Sequence, residues 1–177
     1  LNLICFAHAT SLQFCPKKYS YHKRTNKCYW VSETLHFHED CQRSVCNTST
    51  SSSLVTVTNE NIYFLTNVLQ IGTDFVNVGL FKDPTDNRWH WMNQQDEFSM
   101  EMNKTVPYKI QPIGIPESPG YCIERQNCGI FSTADKKIRN RVCSKEQFDR
   151  SKYNALNNMF QSSPLPCLCE YPSKLSY

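Results

Sequence analysis

Ten cysteines stand in a chain of 177 residues, and thiols at this density do not suit a reducing compartment, so they read as disulfides made in an oxidising one. The zinc alternative needs two close Cys/His pairs at suitable spacing. Cys41 and Cys46 have four residues between them, but Cys167 and Cys169 have only one. His36 and His38 could be ligands on a strand; on a helix they point apart, and they read as solvent-facing side chains. Glu117, Glu124 and Asp135 could form a carboxylate pair, yet nothing sets their geometry, and they read as surface charges. Serines are plentiful, but no Gly-x-Ser-x-Gly elbow accompanies them. The chain therefore offers no catalytic residue and no metal-ligand set, and the expectation is binding without enzyme activity.

The length suits one domain with short tails, a stalk or signal-peptide remnant over 1–14, a domain over 15–171 and a tail over 172–177. Hydrophobic residues make up 40% of the chain, enough for one ordinary core, which argues against disorder. The net charge is +3, and the densest basic run, Lys17 to Lys27, is short and broken by tyrosines, a histidine and Thr25. A nucleic-acid footprint wants a concentrated basic face, so nucleic acid is not an expected partner. Leu1 to Ala9 is mostly apolar and ends in Ala7-His8-Ala9, like the end of a signal peptide, although a stalk or a short edge strand fits equally. No apolar run approaches the roughly 20 residues that span a bilayer, so no membrane insertion is expected in this chain, while an anchor could lie upstream of Leu1. Asn47-Thr48-Ser49 and Asn103-Lys104-Thr105 are N-glycosylation sequons, which makes Asn47 and Asn103 candidate glycan sites.

The elements that must position these residues follow from pattern and punctuation. Two short strands turning near Arg24-Thr25-Asn26 would be closed by a Cys15–Cys28 bridge. Phe37, Cys41 and Val45 recur every four residues, which predicts a helix between Glu33 and Cys46. Asn47 to Ser53 reads as a loop and Leu54-Val55-Thr56-Val57 as a strand. A second helix follows, with Thr58 as its cap, Glu60 near its positive end, an apolar face of Ile62, Leu65, Val68 and Leu69, and Gly72 ending it. Val78-Gly79-Leu80-Phe81 is strand-like, Asp83 to Asn87 is turn chemistry, and Trp89 and Trp91 fall on one side of an extended Trp89-His90-Trp91, where they read as core. Met92 to Gly120 holds no period and is punctuated by Pro107, Pro112, Pro116 and Pro119, and a loop of this length is usually functional. Tyr121-Cys122-Ile123 and Gly129-Ile130-Phe131 look like short strands, and Phe148, Ala155, Leu156 and Met159 share a helical face.

This order of pieces resembles the C-type lectin-like domain in its long form. It is carried by the Cys-Pro hairpin, Cys28-Tyr29-Trp30, the cysteine-bearing helix, Asn77-Val78-Gly79-Leu80, Trp89-His90-Trp91 and the closing Cys169-Glu170. The family's strand motif is Trp-Ile-Gly-Leu, and Asn77 stands where its tryptophan would be. Two cysteines in the first helix, with Cys-x-Cys in the last strand, look like the natural-killer-cell receptor group, although that group's helix cysteines are usually four apart and Cys41 and Cys46 are five apart. The resemblance implies an α+β fold, two helices flanking small, mostly antiparallel sheets, with a long loop that carries the ligand site.

It also implies the bridges. Cys15 would pair with Cys28, Cys46 with Cys169, and Cys41 with Cys167. On a helix, positions five apart point about 140° apart, so two adjacent bridges need a local break or a helix end. Cys122 and Cys128 compete for Cys143; Cys128 is preferred because Asn127-Cys128-Gly129-Ile130-Phe131 reads like the family's third-cysteine strand. Cys5 and Cys122 are then left to pair with each other, or Cys5 to make an interchain bridge and a disulfide-linked dimer.

The family's calcium site is the remaining chemistry to test. Calcium takes six to eight oxygens, several of them charged. Pro119 falls where the family's loop proline falls, but Ser118 and Gly120 flank it; Gln126 stands for the acid before the third cysteine, and Ile138-Arg139-Asn140 replaces Trp-Asn-Asp. Anionic ligands are missing and Arg139 adds a cation, so no calcium or other cofactor is expected. The expected function is recognition of a protein receptor or receptor ligand outside the cell, by a secreted protein or a type II ectodomain. The recognition surface would be the loop from Met92 to Gly120, with Tyr108, Ile110, Ile113 and Glu117 as ligand contacts. The alternative is a glycan-binding C-type lectin.

Overall fold

The computed structural model describes residues 15–47, 52–83, 85, 88–92, 97–98, 111–112, 128–141, 143 and 163–173. Strands β1 (Ser20–His22) and β2 (Lys27–His36) form an antiparallel hairpin in the register Tyr21 to Cys28. Asn26, at φ 50°, takes the left-handed conformation that its turn requires, which asparagine tolerates better than most residues. The β2 strand runs through Glu33 to His36, so the helix expected from Glu33 begins only at His38. Its first turn, α1 (His38–Asp40), continues as a π-helical turn over Cys41–Val45. The four-residue apolar period was read one turn too early because Phe37 is the residue before the helix and not part of it.

The β3 strand is only Ser53–Leu54. Val55 to Val57 remain buried but leave the ladder: the Val55 N–H donates to Leu168 C=O and its C=O accepts from Gly79 N–H, so one short segment ties two strands together. The second helix starts on Asn61, whose side chain accepts from Thr58 N–H at 2.8 Å and donates to Thr56 C=O at 2.8 Å, while Thr58 contributes its own C=O to Ile62 N–H. The helix then widens into a π turn, Phe64–Val68. The wider turn rotates the apolar face: Phe64 and Leu65 are buried, Ile62 and Leu69 pack at the margin, and Val68, expected inside, is exposed. Gln70, at φ 48°, makes the left-handed exit that was assigned to Gly72.

The remaining strands are β4 (Phe75–Lys82), β5 (Trp89–Trp91), β6 (Glu97–Phe98), β7 (Gln111–Pro112), β8 (Cys128–Ser132), β9 (Ile138–Arg141) and β10 (Leu165–Pro172). The sheet runs β1-β2-β10-β4-β8-β9-β7, with β3 also on β10, β5 on β4 and β6 on β5. All pairs are antiparallel except β10 with β4, at Cys167 to Asn77, and β7 with β9. The apolar residues of β4, β8 and the Val55–Val57 segment meet Tyr29, Leu65, Trp89 and Trp91 in one core. Gly79 lies where a Cβ would stand 2.7 Å from Leu54 O, and Gly129 where it would stand 2.7 Å from Leu80 Cβ, so both glycines are required by close approach of a neighbouring chain segment.

Candidate recognition face and its supports

The long segment from Met92 to Gly120 springs from β4. Asp83 begins the turn into β5 by accepting from the N–H and hydroxyl of Thr85, and its own N–H donates to Arg88 C=O. Strand β5 then pairs with one side of β4, Leu80 opposite Trp91, and Met92 N–H donates to Gly79 C=O at 2.8 Å. The chain returns on the other side of β4, where Cys128 pairs with Phe81. Both feet of the segment therefore stand on the same two turns of one strand's pleat. Trp89 and Trp91 are buried side by side beneath the outgoing foot. The Cys128–Cys143 bridge staples the returning one.

Within the segment, β7 lies parallel to β9, Gln111 beside Arg139 and Pro112 beside Asn140. Tyr108, Ile110, Ile113 and Glu117 themselves lie outside the described residues, as do Asn103, Cys5, Cys122 and Glu124. Asn47 is exposed at the end of the first helix.

Arg139 is the charged group on this part of β9. Its guanidinium holds the Asp135 carboxylate at 2.5 Å and lies over the Phe75 ring, 5.9 Å from the centroid. Asp135 also takes the N–H of Lys137, and hydrogen bonds from Ser132 and Arg139 hold its carboxyl below the usual carboxylate range. The Asp135 carboxylate is thus already occupied by a cation. Among the described residues no group of three or more His, Cys, Asp or Glu side chains is placed to hold a metal ion.

Underneath lies a layer of bonded polar groups. The structure brings Cys41 to Cys167, Cys46 to Cys169 and Cys15 to Cys28 as disulfides. The π turn accommodates the five-residue spacing: Cys46 N–H donates to Cys41 C=O at 2.8 Å, and an i to i+5 bond widens the turn until the two side chains face the same strand. Cys167 and Cys169 alternate on β10, so they too share a face. Asn77, in the family tryptophan's place, is fully buried and donates its amide to His36 C=O and Leu165 C=O, both at 3.1 Å, and to Cys41 Sγ. It knots β2, β4, β10 and the helix.

His38, expected at the surface, is fully buried, and its Nε2–H donates to Val78 C=O at 2.7 Å. Arg141 is buried as well and donates to Ser163 C=O at 2.5 Å. Neither position is marked in the sequence, because a histidine after a strand and an arginine between cysteines look the same exposed or buried. His36 stays half-buried on β2 beside Thr34. Glu170, following the last cysteine of the strand, is buried and ion-paired with Lys27 at 2.9 Å.

Solved structures with the same arrangement include C-type lectin domains. The C-type lectin CEL-I from Cucumaria echinata superposes with a TM-score of 0.57 at 14% identity, covering 88% of this chain and 96% of that one. The mouse scavenger receptor C-type lectin carbohydrate-recognition domain gives 0.58 at 17% identity, with 92% and 100% covered. A calcium-independent type II antifreeze protein gives 0.57 at 14% identity, with 90% and 95% covered. No protein-family model matches the chain. No curated protein matches it either. The fold is the C-type lectin fold, with a mixed sheet, few helices and disulfide staples, as the sequence motifs imply.

Proposed function

We propose that this chain is an extracellular, non-enzymatic binding domain that works without a family-type calcium site and recognises a protein, a receptor or a receptor ligand, through the face built on residues 92–120. Arg139 carries the reading. It occupies the stretch in which calcium-dependent members place acids, and it already holds Asp135. A cation there opposes a divalent ion, and the neutral Gln126 and the Ser118-Pro119-Gly120 sequence supply no replacement charge. The apolar side chains of the segment, Ile110 and Ile113 among them, suit a protein surface better than a sugar, whose hydroxyls ask for paired polar groups. The π turn that turns Cys41 and Cys46 toward the same strand supports the natural-killer-cell receptor group, although the spacing of five departs from that group's usual four. Cys5 is the residue that would link two copies.

Glycan binding is the second reading, favoured by a similar structure that is a carbohydrate-recognition domain. A glycan array without sulfated sugars, probed with the folded domain once in millimolar calcium and once in chelator, separates the two. The expected outcome is silence in both, followed by a hit in a screen of cell-surface ectodomains that is lost on Tyr108→Ala/Ile113→Ala. Binding to sugars only with calcium would show a working C-type lectin and end the proposal.

A further inference from the structure

We infer that the N-terminal hairpin is a second, separate binding surface, made for a linear sulfated polysaccharide. Residues 15–32 hold Lys17, Lys18, Lys23, Arg24 and Lys27 and no acid, while the remaining 14 basic and 16 acidic residues leave the rest of the chain at −2. The sequence shows a broken run, but the fold arranges it. Pro16 to Tyr19 is a tight turn closed by Tyr19 N–H on Pro16 C=O, with Lys17 and Lys18 at its tip. Lys23 to Asn26 is a second turn, closed by Asn26 N–H on Lys23 C=O, with Arg24 at its tip. Lys27 is committed to Glu170. Lys17, Lys18, Lys23 and Arg24 are exposed, and none of the four makes an ion pair among the described residues.

Two features point to a sugar polymer. The basic tips flank a three-residue strand, which separates them by roughly 15 Å. A small anion cannot reach both, and a chain carrying anions at intervals can. Beside the first tip lies an aromatic cluster: Trp30, Tyr19 and Tyr171 are half-buried, with Tyr19 5.7 Å from Trp30 at a tilt of 40° and 6.1 Å from Tyr171, edge-on at 62°. Lys18 holds φ 80°, a conformation that costs a non-glycine residue energy, and this sets its ammonium 5.8 Å above the Trp30 ring. A pyranose ring can stack on the exposed face of one of these rings while its sulfates meet the lysines; duplex DNA and phosphatidylserine headgroups expose no equivalent ring. This surface is on the opposite edge of the sheet order from β9 and β7, so it is independent of the loop face.

The test is surface plasmon resonance of the intact domain against heparin oligosaccharides of defined length. A dodecasaccharide should bind at 0.15 M salt and a disaccharide should not, and binding should weaken steeply at 0.5 M. Removing the four exposed charges (Lys17→Gln, Lys18→Asn, Lys23→Gln, Arg24→Gln) should cost about tenfold or more in affinity, on the scale of several lost charge contacts. Folding is checked by intact disulfides and circular dichroism. The Lys17/Lys18 pair alone should cost several-fold, while an equally charged control, Lys136→Asn/Lys137→Gln in the turn before β9, should cost little. Equal losses in the two pairs, indifference to chain length, or equal competition by duplex DNA or phosphatidylserine vesicles would each overturn the assignment.

Discussion

His38 shows how one buried side chain couples this fold to pH. Burial lowers its pKa from 6.5 to about 4, the hydrogen bond to Val78 C=O opposes that shift, and the Arg141 guanidinium adds to it. The native state therefore binds the proton more weakly than the unfolded chain does. Stability from this group is complete above pH 6.5 and is lost as pH falls toward 4, by about 3 kcal/mol across that window. His22, also lowered chiefly by burial, acts in the same direction. Urea midpoints at pH 7, 5.5 and 4.5 should fall steadily, and His38→Gln should flatten the decline; a variant that kept the wild-type slope would refute the assignment. Asn77 makes the complementary case with no titration at all. Asn77→Leu keeps the branched shape but strands two part-buried carbonyls, His36 and Leu165, and crowds a fully buried site, and should cost about 2–4 kcal/mol at every pH in the same denaturation series.

At the scale of elements, what could be read in the sequence follows from which patterns are periodic. The alternation of Trp89-His90-Trp91 was legible because a strand has a period of two, and β4 was legible as a short apolar run, buried nearly throughout. The two π turns were not, because a period near 3.6 is the only helical template a sequence displays. Val68 was placed inside, Phe64 outside the expected face, and the Cys41–Cys46 spacing stood as an anomaly. The anomaly has a structural test. Deleting Ser44 should convert the π turn to an α turn in which the two cysteines are four apart and still face β10, so peptide mapping should find both bridges intact. Scrambled pairing would mean that the extra residue is needed. Gly79 is the other element-level joint. A methyl at Gly79 would meet the Leu54 carbonyl, part of the backbone that carries β3, so Gly79→Ala should lower stability by about 2 kcal/mol or more, measured by thermal melting. The loop's contacts remained expectations because a segment without periodicity carries no signal for where its side chains go.

For the whole molecule, the decisive arrangement is that two bridges join the same pair of elements. Cys41–Cys167 and Cys46–Cys169 close loops of 126 and 123 residues between the first helix and β10. Either bridge alone restricts the unfolded chain by about 5 kcal/mol on the loop-entropy account. Once one is present, the other closes a ring of only about eight residues and adds roughly 2–3 kcal/mol. The consequence is strong non-additivity. Cys41→Ala/Cys167→Ala and Cys46→Ala/Cys169→Ala should each lose about 2–3 kcal/mol and stay folded, whereas the quadruple variant should lose about 7–8 kcal/mol, roughly 2–3 kcal/mol more than the sum. A domain of this size has roughly 5–15 kcal/mol in hand, so each pair is survivable and the quadruple variant falls near or below the threshold. That ordering also states what the fold is built to protect. Met92 and Cys128 are both tied to β4, whose Asn77 pairs with Cys167 and bonds to Cys41 Sγ, so that strand stays fastened as long as one of the two staples remains. Urea denaturation of the three variants, with the far-ultraviolet spectrum as readout, decides the matter: additive losses would mean that the bridges act through native packing and not through the shared loop.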